Sequence, residues 1–358
     1  MGTRECSDAS VIGQGSRDKR DKGDQRDPRK FRSKGLSVCA CEGYTVCKGR
    51  YALHPSSMVM TTSWNRLNPA RRLLVSVTCV ASVAACGLVT SPRESTVPRS
   101  ATLQPEDVTF ASASGSLIRA WFIRGKAGVG AVLLLPGVGA DRTSMEGRAL
   151  FLHARGFTVL APDFQASGES PGHHVTYGAR ESLDADAAMT FLRDSARDER
   201  VGVIGVSMGG AATLLGHGPL LADAFVLESV YPTIRQAVSN RLGTWLGPLG
   251  GIARLFTSPV ISLVGSVVGV KEAELQPISR IAAIRAPLLL IAGTDDPYTP
   301  IAEAESLFAR APNPKTFWAV GGAAHVDLHD YTPRDYERRV GGFLEEHLRV
   351  MVNLDTLH

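Results

Sequence analysis

From residue 106 onward the chain repeats one device: a short, dense apolar run closed by turn-forming residues, then a stretch with helical period. The runs are "GAVLLLPG", "FTVLAPD", "VGVIGVS", "AFVLES", "PLLLIAG" and "TFWAVGG". A strand that is apolar on both faces has to be covered on both faces, which is the condition of a parallel sheet. The stretches between, for example 177–193 and 301–311, are amphipathic, and 331–350 supplies a last helix. This alternation predicts an α/β chain with a mostly parallel, doubly wound sheet and right-handed crossovers. Ahead of it, "VTFASASGSLIRAWFIRG" reads as two strands around a turn at Gly115.

One interval breaks the rhythm. The strand ending at Glu228 and the one beginning at Pro287 are too far apart for an ordinary connection. Residues 231–286 are expected to form a helical lid over the C-terminal edge of the sheet. Trp245, Leu246, Ile252, Leu255, Phe256 and the charge-free run 255–270 either pack this lid to the core or line an acyl-binding pocket.

The charge of the chain is unevenly spread. Residues 1–57 hold twelve Lys/Arg against seven Asp/Glu, and residues 58–86 add three arginines and no acid. With a total of +4, residues 87–358 therefore net −4. The basic balance belongs to the leader, which removes the compositional support for nucleic-acid binding. All six cysteines precede residue 87, so the remainder has no disulfide or thiolate metal site and at its size needs neither. "CACEGYTVC" looks like half of a zinc site, but no second pair completes it.

The segment "NPARRLLVSVTCVASVAACGLVTS" has the order of a secretory signal. Arg71 and Arg72 form a charged start, and 73–85 is an uncharged run too short for a membrane span. The run ends in Val83-Ala84-Ala85-Cys86, which resembles the lipobox of bacterial lipoproteins, where the cysteine becomes the lipid-modified first residue. The plain alternative is a buried helix that contains a cysteine. Residues 1–57 lack periodicity and are expected to be disordered or an over-extended reading frame, with translation starting at Met58 or Met60. Residues 58–85 then form the signal, 86–105 a lipidated cysteine and a flexible Ser/Thr/Pro-rich tether, 106–350 the folded domain and 351–358 a tail. The expected location is the bacterial cell envelope, held by lipid and facing the periplasm or exterior; without the signal it is the cytoplasm.

The chemistry centres on Gly205-Val206-Ser207-Met208-Gly209. G-x-S-x-G between a strand and a helix is the context in which a sharp turn pushes a serine out as a nucleophile. No G-x-x-x-x-G-K-[ST] is present, and "GVGADR" puts Arg142 where a dinucleotide fingerprint needs glycine. A serine needs a base, and the base needs an orienting carboxylate. After "PLLLIAG" come Asp295 and Asp296, and after "TFWAVGG" comes His325, so both loops lie on the edge of the sheet that carries Ser207. Glu228, at the end of the preceding strand, is a rival acid. His153, His217, His173 and His174 read as structural or substrate-lining. His329, four residues past His325, makes a metal pair conceivable, but no further ligand cluster supports it.

Together "LPGVG", "APDFQASGES", "GVSMGG", "GTDDPYTP" and "GAAHVDL", in that order, resemble the α/β-hydrolase family, in its lipase-like and serine-aminopeptidase-like branch, over residues 106–350. The resemblance implies Ser207 as nucleophile, His325 as base and acid, and Asp296 rather than Asp295 as its orienter. It implies an oxyanion hole from the backbone N–H groups of Val138 and Met208, although Pro136-Gly137 stands where the family often has His-Gly. Asp163 matches a structural position. The implied function is a serine hydrolase cleaving a carboxylic ester or related acyl bond of a small molecule through an acyl-serine, with no metal or organic cofactor. The alternatives are an amidase, peptidase or thioesterase on the same fold, or a lipid-anchored binding protein without catalysis.

Overall fold

The computed structural model describes residues 89–349. Cys86, the signal-like run, the leader and the tail lie outside the described residues. Among the described residues ten strands are formed: β1 (Arg93–Glu94), β2 (Glu106–Ala111), β3 (Leu117–Ile123), β4 (Ala131–Leu135), β5 (Thr158–Pro162), β6 (Ser167–Gly168), β7 (Val201–Val206), β8 (Ala224–Glu228), β9 (Leu288–Gly293) and β10 (Lys315–Val320). Eight of them make one sheet in the order β10-β9-β8-β7-β4-β5-β3-β2. From β5 to β10 every pairing in it is parallel, and β3 and β2 join antiparallel. This is the mostly parallel, doubly covered arrangement expected from the strand runs, and the α/β-hydrolase fold that the motif resemblance implies, with Gly115 turning the β2–β3 hairpin at φ +91°.

The dense runs are buried for the reason given by their composition. Every residue of β4, β5, β8 and β9 is buried, because helices cover both faces. On one face Ala149 and Leu152 of α1 (Glu146–Ala154) join Tyr336, Val340 and Leu344 of a long C-terminal helix. On the other lie Ala185, Ala188 and Leu192 of α2 (Glu181–Ser195), the short α3 (Met208–Ala212) and the root of the lid. The expectation of burial fails at β10, which is half exposed. It is an edge strand, paired only with β9, so one flank has no neighbour to cover it.

The lid region is helical throughout its main elements: α4 (Ile234–Trp245), α5 (Gly250–Ala253) and α6 (Thr257–Val268), followed by single 3-10 turns. Thr233 starts α4 by accepting a hydrogen bond from the Gln236 amide, and Gly269 ends α6 in a left-handed conformation at φ 72°. Ile234, Ala237, Val268 and Val270 join the core, whereas Trp245, Leu249 and Leu255 are exposed. After it come α7 (Ile301–Arg310), α8 (Leu328–Tyr331) and α9 (Pro333–Leu348).

The expected tether needs correction over its described part. Residues from Val89 onward are laid against the domain. β1 pairs with β6, the Val175 amide donates to Thr90 O at 2.9 Å, and Val97 and Leu103 are buried. Two well-spaced apolar side chains and a row of backbone hydrogen bonds are enough to seat a segment whose composition suggests a free linker.

Candidate active site

The turn between β7 and α3 has the conformation that the glycines flanking Ser207 predict. Ser207 sits at φ 50°, ψ −110°, a strained region for a residue with a side chain. A Cβ on Gly205 would lie 2.6 Å from Gly210 Cα, and one on Gly209 would lie 2.2 Å from Leu135 O. Both positions require glycine because neighbouring backbone occupies that space. The Ser207 amide donates to Glu228 O at 2.7 Å, which fixes the turn to the end of β8.

His325 and Asp296 come from the loops after β10 and β9 and meet, with His325 Nδ1 2.7 Å from Asp296 Oδ2. Asp296 is buried and accepts three further bonds: the Tyr298 and Thr299 amides at 2.8 and 2.9 Å on Oδ1, and the Thr299 hydroxyl at 2.6 Å on Oδ2. Burial works to raise this carboxyl, but the hydrogen bond and charge of His325, with the Thr299 bonds, outweigh it and hold Asp296 below the ordinary carboxylate value. With Asp296 on Nδ1, the imidazole is fixed with Nε2 as its proton-accepting atom. The Tyr298 ring stands edge-on to the imidazole, centroids 5.5 Å apart. Asp295 is exposed, and among the described residues its side chain accepts a hydrogen bond only from the Thr294 hydroxyl, at 2.9 Å. Among the described residues, Ser207 Oγ forms no hydrogen bond with His325 in this resting arrangement.

Glu228 is brought elsewhere. Its carboxylate is held by the buried Arg148 guanidinium, at 3.2 Å from Nε and 2.7 Å from Nη2, and by the Tyr336 hydroxyl. Arg148 Nη1 also reaches Asp327 Oδ2 at 2.6 Å, two residues beyond His325. Burial opposes the Arg148 charge, but Glu228 and Asp327 raise it beyond the ordinary arginine value. Sequence reasoning missed this network. Its one local signal is a basic residue on the apolar face of "GRALFLH", three and four residues before Phe151 and Leu152. Asp163 is likewise engaged structurally, with the Arg142 guanidinium and the Arg142 and Glu169 amides.

His329 does not join His325. It stacks on Phe151 and its Nε2 lies 3.2 Å from Glu337. Asp327, His329 and Asp330 do gather potential ligand atoms within 4.8 Å, but Asp327 already serves Arg148 and two backbone amides.

Ser207 opens into a cavity of about 590 Å³, within the usual range for small-molecule sites. Val138 and Met208 line it beside the serine. The Met208 amide, first in its helix, has no intrahelical acceptor, and the Val138 amide donates to no acceptor among the described residues. The remaining wall is almost wholly apolar and drawn from the lid, including Leu242, Trp245, Val260 and Val264, with Arg241 and Glu272 the charged exceptions. Of the lid residues singled out in the sequence, Trp245, Leu246 and Phe256 line this cavity, whereas Ile252 and Leu255 do not. Val89, at the start of the described chain, lines it as well.

Residues 132–339, more than half of the chain, match the sequence profile described as the Alpha/beta hydrolase family. Among curated proteins the chain is 27% identical over 200 residues to the uncharacterized protein YqkD of Bacillus subtilis, covering 53% of this chain and only 63% of that protein's length. It is 28% identical over 246 residues to the uncharacterized protein Rv2307c of Mycobacterium tuberculosis, covering 67% of this chain and 80% of the relative. Of solved structures, the esterase Pf2001 of Pyrococcus furiosus superposes with a TM-score of 0.59 at 24% identity, covering 72% of this chain and 98% of that one. An esterase from Exiguobacterium antarcticum gives 0.51 at 14% identity, covering 67% and 100%. At these identities the structural likeness speaks for the fold.

Proposed function

The chain belongs to the alpha/beta hydrolase family, and within that family we propose that it is a serine hydrolase cleaving carboxylic esters of apolar acids. The observation that carries this reading is the His325–Asp296 pair, bonded at 2.7 Å, on the same sheet edge as a strained Ser207 that faces an apolar cavity.

In this reading the Ser207 hydroxyl oxygen attacks the ester carbonyl while His325 Nε2 takes its proton, and Asp296 stabilises the imidazolium that forms. The carbonyl π electrons move to oxygen, which accepts hydrogen bonds from the Val138 and Met208 amides. Collapse of this intermediate breaks the bond to the alkoxy group, and the imidazolium protonates the departing alcohol. Water, deprotonated by the same Nε2, then attacks the acyl-serine; Ser207 recovers its proton and the acid leaves. The missing Ser207–His325 bond is consistent with free enzymes in which the contact tightens only with substrate bound.

That same missing bond is what favours a second reading, a binding protein that uses the cavity without chemistry. A fluorophosphonate probe, together with p-nitrophenyl esters of increasing chain length, separates the two. Labelling and turnover that disappear in a folded Ser207→Ala chain support the enzyme. Binding of esters without labelling or turnover supports the binder. The reading extends to location: a lipid on Cys86 would hold the domain at a membrane, and a single fatty chain would be marginal where two suffice.

A further inference from the structure

The lid has an outer face that nothing among the described residues covers. Trp245, Leu246, Leu249, Ile252, Leu255 and Phe256 are 48 to 77% exposed, all within twelve positions. Scattered exposed apolar residues need no explanation, but a contiguous group of large ones does. The stretch Gly247–Val268 is long and apolar enough to cross a membrane by composition. Here, however, it is broken into a 3-10 turn, α5, a second 3-10 turn and α6, and the last of these buries Thr257, Ile261 and Val268 against the protein. Short broken helices with one face on the domain and apolar residues outward suit a surface-lying element, not a spanning one.

Three observations name what covers this face. Trp245, Leu246 and Phe256 belong both to the patch and to the cavity wall, so apolar surface is continuous from the outside to Ser207. Between Glu228 and Glu272 the chain carries Arg235, Arg241, Arg254 and Lys271 and no acid, whereas residues 87–358 as a whole net −4. The lid is the cationic part of an acidic domain. Arg235 is engaged with Glu272 at 2.7 Å, while Arg254 and Lys271 are exposed. Finally, the chain outside the described residues ends here: Val89 is 42% exposed and lines the same cavity. Cys86 is three residues earlier, a reach of at most about 10 Å.

We propose that the outer face of the lid docks on an anionic lipid bilayer, with the cavity mouth turned toward the acyl chains. Trp245, Leu249 and Leu255 enter the boundary between headgroups and chains, and Arg254 and Lys271 meet the phosphates. A lipid on Cys86 would add to this contact and fix the same orientation, since it leaves the domain beside the mouth. Docking is independent of chemistry at Ser207; only the consequence, that membrane-borne acyl esters reach the serine without crossing water, rests on the esterase reading.

The test uses the full chain with Cys86→Ser, so that no covalent lipid contributes. Vesicles of brominated phosphatidylcholine, with and without phosphatidylglycerol, are added, and Trp245 quenching is read by subtracting a Trp245→Phe chain. Quenching that grows with phosphatidylglycerol and weakens with salt supports docking. Leu249→Asp/Leu255→Asp should lower vesicle affinity by about tenfold or more while leaving the thermal midpoint and p-nitrophenyl butyrate turnover in vesicle-free buffer unchanged, since neither residue lines the cavity. Ser207→Ala should bind vesicles like its parent, so an inactive protein that still docks fails the esterase reading alone. Absence of Trp245 quenching at every composition overturns the proposal. So does a dimer that Leu249→Asp/Leu255→Asp dissociates, with no quenching, because the face would then be a self-association surface.

Discussion

Replacing Arg148 with methionine tests whether the charges behind the candidate site are coupled as their geometry indicates. Arg148 and Glu228 are each only 1% exposed, and their guanidinium and carboxylate meet at 2.7 Å. Without Arg148 the buried Glu228 carboxylate keeps the Tyr336 hydroxyl as its side-chain partner but loses the cation that faces it. Breaking such a pair from one side costs about 3–5 kcal/mol, because the remaining charge is buried uncompensated. For a domain of this size that lowers the thermal midpoint by roughly 6–20 °C. Arg148→Met/Glu228→Gln removes the stranded charge and should recover most of the loss, to within about 1–2 kcal/mol of the parent. Urea unfolding followed by tryptophan fluorescence reads both, and Trp318, 6.3 Å from the Tyr336 ring, reports on the network directly. Arg148 lies outside the cavity wall, so the effect on turnover should fall on kcat and leave KM alone. Asp327 keeps the His329 amide at 2.8 Å, so its loop is loosened rather than lost. The drop in kcat should therefore be smaller than the roughly hundredfold that a misplacement of about 1 Å can cost. A single variant within about 1 kcal/mol of the parent, or a double variant no more stable than the single one, refutes the coupling.

Asp296→Asn should reduce kcat for ester hydrolysis by about four orders of magnitude, because an amide favours the wrong imidazole tautomer, while Asp295→Asn leaves it unchanged; a severe Glu228→Gln effect on kcat beside a mild Asp296→Asn would reverse the assignment. Medium-chain p-nitrophenyl esters should exceed acetate in kcat/KM by tenfold or more for two or three added methylenes, at about 0.8 kcal/mol each, and a steady decline from acetate would show that the cavity does not take the chain. Asp184, buried under the hydroxyls of Ser112 and Ser114, has its carboxyl pushed up to about 6, with burial outweighing those hydrogen bonds. The folded state then holds a proton that the unfolded chain has released, so stability should fall by roughly 2–3 kcal/mol as pH rises from about 4 to 6 and level off above. Asp184→Asn should flatten that part of a pH series of urea midpoints; an unchanged slope would show that another group is responsible.

The parts of the fold legible in the sequence were those whose cause is local. β4, β7 and β9 announce themselves because a strand covered on both faces has to be apolar at every position. "TFWAV" looks the same in one dimension, but β10 is at the sheet edge, and edge position is a property of strand order, not of the strand. The strap from Val89 to Pro105 resembles a linker in one dimension because, apart from Val97 and Leu103, its seat is made by backbone bonds to Ala166 and Gly168, which leave no trace in side-chain pattern. At the site, Ser207 was marked by glycines that its own turn demands. Choosing Asp296 over Asp295 needed either family spacing or the Thr299 hydroxyl that holds it. Arg148 was hidden because its partners lie 80 and 179 residues away.

The two buried acids near the candidate site show why residue type alone could not assign them. Glu228 and Asp296 both follow strands on the C-terminal edge, and both are at most 3% exposed. Their difference lies in the cation each faces. Glu228 faces a permanent one, Arg148, and is thereby committed; its backbone carbonyl meanwhile holds the Ser207 amide at 2.7 Å. Asp296 faces an imidazole, whose charge comes and goes with a proton, and its remaining lone pairs are occupied by Tyr298 and Thr299. Only the second arrangement could respond to proton transfer in the proposed reaction, because only an imidazole partner can gain and lose its charge there. The first serves as a fixed support for the turn that carries Ser207. An acid moved from one position to the other would therefore not exchange roles: at 228 it would still be neutralised by arginine, and at 296 it would still be read by histidine.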